Sequence, residues 1–121
     1  MQWIILIGDK TLSLDAIRDI KHYDSTSSHD VPTCNRYLVN FGKEYVYYDY
    51  MESLIEEYQK SELQVLPFKE PRFIMMIHHS IDLVMKILRQ DNFLRGIYVD
   101  DDNGRIVPIE EFIKPDDEEK K

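Results

Sequence analysis

Two short, unbroken apolar runs, "WIILI" at 3–7 and "FIMMI" at 73–77, constrain this chain more than any other feature. Neither alternates with polar residues, so neither has the pattern of a strand with one face in water. A strand that is apolar on both sides needs cover on both sides. At five residues each, the runs are far short of the roughly 20 that cross a bilayer. They read as the cores of two buried strands, around which the rest of the chain has to be arranged.

The first strand, residues 2–8, ends at glycine and gives way to a Gly8-Asp9-Lys10 turn. Ser13 is an N-cap for a helix over 14–23, with Leu12 and Ile17 spaced as a hydrophobic staple and Ala16, Ile17 and Ile20 as the inward stripe. The polar run "DSTSSHDVPT", 24–33, has no periodicity and reads as an exposed loop. Residues 35–50, "NRYLVNFGKEYVYYDY", read as a hairpin turning at Gly42. That register puts Tyr37, Val39, Phe41, Val46, Tyr48 and Tyr50 on one face and Leu38, Tyr45 and Tyr47 on the other.

Asp49 and Glu52 have the spacing of a capping box, and Met51, Leu54, Ile55 and Tyr58 recur at helical intervals, so a helix is expected over 50–60. The segment "LQVLPFKEP" reads as an edge strand or extended loop, because proline cannot donate to a central ladder. The second apolar strand follows. Ser80 then caps the helix "IDLVMKILRQ", and residues 93–113 return as strands.

The expected order is β-α-β-β-α-β-α-β-β. It implies an α/β fold, or a mixed α+β one: a single domain over 1–114 with a mixed sheet of five to six strands and about three helices. If the strands of the 73–100 unit are parallel, their crossover should be right-handed. The tail 115–121, "PDDEEKK", is charged enough to be disordered.

Twenty-three acids against 15 bases leave a net charge of -8 and a pI near 4.9, which disfavours nucleic acid and anionic membranes and favours a basic protein partner. Cys34 is the only cysteine, so an internal disulfide or thiolate cluster is excluded. As a lone thiol it is expected to be buried or half-buried and structural. Met1-Gln2 leads directly into the first strand without a basic leader, and a cytoplasmic location is expected.

The stretch "IYVDDDNGRIVPIEEFI", 97–113, raises the question of a calcium loop. Aligning Gly104 with the loop's invariant glycine puts Asp101, Asn103 and Glu110 at ligand positions, but Val99 then occupies the first ligand position. The flanks are β-rich, so the Asn103-Gly104 pair reads as a hairpin turn with Asp102 opposite Arg105. No phosphate loop, nucleophile elbow or dinucleotide fingerprint occurs among the four glycines. Neither a metal nor a cofactor is expected, and an enzyme is less expected than a binding protein.

Two candidate sites remain. The stretch "EYVYYDYMESLIEEY", 44–58, gathers tyrosines and acids, with Tyr47, Tyr48 and Tyr50 as possible anchors and Asp49, Glu52, Glu56 and Glu57 as acidic contacts. His78, His79 and Ser80 stand where a strand feeds a helix, a place that often holds a pocket. His22 and His29 lie in or near a polar segment and carry no spacing signal.

The leading expectation is a small acidic protein-interaction domain. Its general profile, though no motif, resembles that of immunity-type proteins that neutralise a toxin by occluding a basic surface. The alternative is a small-molecule-binding or enzymatic domain with its pocket near His78. A homodimer formed through an exposed strand edge is a third possibility.

Overall fold

The computed structural model describes residues 2–114, so the expected charged tail lies outside the described residues. Along the chain run β1 (Gln2–Gly8), α1 (Leu14–Arg18), β2 (Ser27–Val31), β3 (Arg36–Asn40), β4 (Tyr45–Tyr50), α2 (Lys60–Leu63), β5 (Arg72–His78), α3 (Ile81–Leu88), β6 (Tyr98–Asp100), β7 (Ile106–Pro108) and α4 (Ile109–Phe112). Short 3-10 turns occupy Pro32–Cys34 and Leu54–Glu57.

The two apolar runs pair with each other. β1 and β5 form an antiparallel ladder of seven residue pairs, from Gln2 opposite His78 to Gly8 opposite Arg72. The full sheet has seven strands in the order β2-β3-β4-β5-β1-β6-β7, and every neighbouring pair is antiparallel. The fold is therefore mixed α+β, with a wholly antiparallel sheet where a mixed one was expected. β5 and β6 do run parallel to each other, but β1 lies between them, and α3 carries the crossover.

Alternation along each strand divides the side chains between two faces. On the first face Ile4, Leu6, Tyr37, Val39, Val46, Tyr48, Ile74, Met76 and Val99 pack with residues of α1, α3 and α4 in the main core. On the second face Ile5, Ile7 and Phe73 pack beneath Leu54 and Leu66, with Met51, Tyr58, Leu63 and Phe68 alongside. Burying each such aliphatic side chain contributes about 1.5–3 kcal/mol.

The caps behave as their sequence implies. Ser13 Oγ accepts from Ala16 N at 3.2 Å, and Ser80 Oγ accepts from Leu83 N at 3.3 Å. The hairpin closes with Phe41 N donating to Glu44 O at 2.9 Å, and the Tyr37–Tyr48 and Val39–Val46 pairs fall on the expected face.

Four local expectations are corrected. The helix over 14–23 stops at Arg18. The loop over 24–33 contains strand β2, an edge strand held to β3 and tied to α1 by an Arg18–Asp30 ion pair at 2.6 Å; Pro32 ends it.

The helix over 50–60 is replaced by a 3-10 turn and the four-residue α2, because β4 continues to Tyr50 and Asp49 is engaged across the ladder by Arg36. The carboxylate that caps is Glu62, which accepts from Gln59 N at 2.7 Å. Finally, residues 109–112 form α4 rather than strand; with β2 added, the described residues form a sheet of seven strands where five to six were expected, and four helices where about three were.

Gly8 is where the first loop packs back onto the sheet. A Cβ there would lie 2.9 Å from Leu12 Cβ and 3.3 Å from Ile97 Cγ2. Neither neighbour is the far end of a flexible chain, so Gly8→Ala is expected to destabilise the fold by about 1–3 kcal/mol, measured by urea unfolding. An unchanged midpoint would show that this packing is looser than described.

Candidate functional site

Among the described residues, the second face of the sheet is only half covered. The segment 51–68 packs over Ile5, Ile7 and Phe73, at the end of the sheet where β1 finishes. Toward the other end, successive ladders align Trp3, Ile77, Tyr47, Leu38 and His29 in one row across five strands. Trp3 is 40% exposed and Tyr45 41%; Ile77, Tyr47 and Leu38 are half-buried, and His29 is exposed.

Tyr45 stacks on Tyr47 at 6.4 Å between ring centroids, and the Arg36 guanidinium lies 4.5 Å from the centre of the Tyr47 ring. Arg36 in turn grips both Asp49 oxygens, at 2.6 and 2.8 Å. These contacts hold the exposed rings in place by rigid neighbours on the sheet.

The tyrosines and acids singled out in 44–58 do not form one surface. Tyr48 is fully buried in the main core, where its hydroxyl meets His22 Nε2 at 2.8 Å, so it cannot be an anchor. Tyr50 is half-buried against that same core. Asp49 is consumed by Arg36. Tyr47 does face outward. Glu52, Glu56 and Glu57 are exposed on the segment covering the other half of the second face.

Tyr45 belongs with Tyr47, and the hairpin register had already put both on the second face. Trp3 was missed because a continuous apolar run does not show which side of a strand is left open.

The adjacent histidines diverge as strand alternation requires. His79 is exposed, whereas His78 is 2% exposed. Ser80 is taken up in capping α3. His78 adjoins a cleft of about 500 Å³ at the end of the sheet, walled by Ile4, Ile81 and Phe112 and edged by Asp101 and Asp102.

Its two ring nitrogens meet no hydrogen-bond partner among the described residues. His22 shows the opposite case. Although equally buried, it sits against Ile20 O through Nδ1 at 3.1 Å and against Tyr48 Oη through Nε2 at 2.8 Å, an arrangement that assigns the proton to Nδ1. Sequence gave no sign that His22 is a core residue, because its partners lie two and 26 positions away.

Burial lowers the pKa of both histidines; for His78 the charge of His79 acts in the same direction, and for His22 the Ile20 carbonyl opposes. Leaving the His78 ring unpaired costs about 1–3 kcal/mol.

Two of the three consecutive aspartates, Asp100 and Asp101, are engaged around the turn. Asp101 Oδ1 accepts from Asn103 N at 2.8 Å and Arg105 N at 3.2 Å, while Asp100 accepts from Asp102 N at 2.8 Å and from Tyr58 Oη at 2.6 Å. Glu110 lies on α4 and accepts from Gly96 N. The hairpin is three residues long, with Asp102 and Gly104 at positive φ, so Asp101 rather than Asp102 stands opposite Arg105. Cys34 is exposed at the end of its 3-10 turn, contrary to the expected burial. No helix among the described residues is long and apolar enough to cross a membrane.

In comparisons with protein-family models, curated proteins and solved structures, nothing matches this chain.

The two buried histidines make stability depend on pH. Their folded pKa values lie below the ordinary value of 6.5, so the unfolded chain binds more protons as acidity rises. Their contribution is fully present above about pH 6.5 and is lost as pH falls toward the folded values, at a slope of up to about 1.4 kcal/mol per pH unit for each. Unfolding free energies measured from pH 7.5 down to 5.5 should show this decline. His78→Leu should reduce the slope and raise stability at pH 7.5 by about 1–2 kcal/mol, because it removes the unpaired ring. A slope unchanged by that substitution would contradict a buried, neutral His78.

Proposed function

We propose that this protein is a non-enzymatic interaction domain that docks a basic protein on the open half of its second sheet face, in the occluding manner of an immunity-type protein. The observation that carries this reading is the row Trp3, Ile77, Tyr47 and Leu38, with Tyr45 stacked beside it and no segment of the described chain laid over it. Tryptophan, tyrosine and arginine dominate the energetics of protein interfaces, and Trp3, Tyr45, Tyr47 and Arg36 share this half of the face. Because they stand on paired strands, docking them costs little ordering entropy.

The charge beside the row argues for a basic partner. Residues 51–71, which cover the neighbouring half of the face, carry Glu52, Glu56, Glu57, Glu62 and Glu70 against Lys60 and Lys69. These acids, on a chain of net charge -8, speed encounter with a basic surface, and the aromatic row then supplies the buried contact. The acids thus steer while the rings hold. The first should act mainly on association rate and the second on dissociation.

The test uses a salt-graded capture from native lysate on three baits: the wild-type chain, Tyr45→Ser/Tyr47→Ser, and Glu52→Gln/Glu56→Gln/Glu57→Gln. A stoichiometric basic protein should be held by the wild type and weakened about 30-fold or more on the tyrosine variant, as removal of hot-spot residues does. The glutamine variant should bind more slowly and with a shallower salt dependence. Equal capture on all three baits, or self-association in place of a partner, would overturn the assignment.

A further inference from the structure

His78 is the one buried side chain for which the described residues supply no hydrogen-bond partner at all, and its position gives that fact a direction. It is the last residue of β5, paired with Gln2 at the start of β1, and it stands at the inner wall of the cleft bounded by Ile81 of α3, Phe112 of α4 and the 101–103 turn. A neutral imidazole there offers one donor and one acceptor. Asp102, at the exposed tip of the turn, engages none of the described residues through its carboxylate, whereas Asp101 is committed to the backbone. The rest of the wall is formed by Trp3, Ile4, Ile81 and Phe112 together with the polar Gln2 and Asn103. The cleft therefore combines one free negative charge, one directional polar ring and a lining that is part apolar and part polar, within a volume suited to a small organic molecule.

A bare metal ion does not fit this set, since no three histidine, cysteine or acidic side chains among the described residues are grouped to hold one. An anion would be repelled by the aspartates. We propose that the cleft binds a small organic cation, a protonated amine on an apolar body, with Asp102 meeting its charge, His78 hydrogen-bonding its polar groups and Ile4, Ile81 and Phe112 enclosing its body. Both His78 ring nitrogens are shielded from solvent, and Ile81 at the cleft wall is 46% exposed. Binding thus opens the cleft by rotation of the ring or of the Ile81 side chain. The cleft shares Trp3 with the aromatic row, and the interaction reading does not depend on a ligand being bound in the cleft.

The test is an NMR titration with tyramine at pH 7.5, following the histidine ring nitrogens and the amides of residues 101–103, with its neutral alcohol analogue tyrosol as control. Saturable shifts at His78 and the turn are expected, with a dissociation constant of about 1 mM or tighter, and little or no response to tyrosol. Asp102→Asn retains the fold, because asparagine tolerates the positive φ of that position, and should weaken binding at least about fivefold. His78→Leu should abolish it. Absence of saturable shifts, equal binding of tyrosol, or binding indifferent to both substitutions would overturn the proposal.

Discussion

The ladder between β1 and β5 is the constraint on which the rest of the structure depends. Seven consecutive residue pairs join the two most apolar segments of the chain, and each strand has another strand on its far side. Because side chains alternate along both, a shift of one residue would exchange the two faces of the sheet. The register therefore decides that Leu6, Ile74 and Met76 meet the helices, that Ile5, Ile7 and Phe73 meet the 51–68 segment, and that Trp3 and Ile77 meet neither.

The same ladder gives the sheet two unlike ends. Where Gly8 stands opposite Arg72, the covering segment packs closely: Tyr58 stacks on Phe73 at 5.1 Å and its hydroxyl donates to Asp100. Where Gln2 stands opposite His78, no described segment covers the second face and the first face gives onto the cleft. Polar groups follow this division. His22, Tyr48, Arg36 and Asp49 all have partners, consistent with the strong cost of leaving buried polar atoms unmatched. His78, at the open end, meets no partner among the described residues. Unmet bonding capacity and exposed aromatic surface thus concentrate at one end of a molecule that is otherwise well satisfied.

Features that depend on a few neighbouring residues were legible in the sequence. The apolar strands, the Gly42 hairpin with its two faces, and the Ser13 and Ser80 caps all follow from local stereochemistry. What escaped was set by distant partners. Asp49 has capping spacing, but Arg36 claims it across the ladder, and the expected helix gives way. β2 has no apolar pattern because its side chains are almost all exposed; it is a strand through its bonds to β3. The candidate sites were partly legible for the same reason. Tyr47 faces outward and His78 adjoins a cleft, but whether a tyrosine faces core or solvent depends on which half of a face the 51–68 segment reaches.

The central claim, that the open half of the second face is an interface for a basic protein, is tested most directly at Trp3, the chain's only tryptophan. Fluorine NMR of the chain carrying fluorotryptophan at that position, recorded alone and with the partner bound, reads the environment of this ring without interference from the partner. The account predicts a water-accessible signal in the free protein that shifts and loses its solvent isotope effect in the complex. A ring already shielded in the isolated monomer, or a signal unmoved at saturation with the partner, would contradict it.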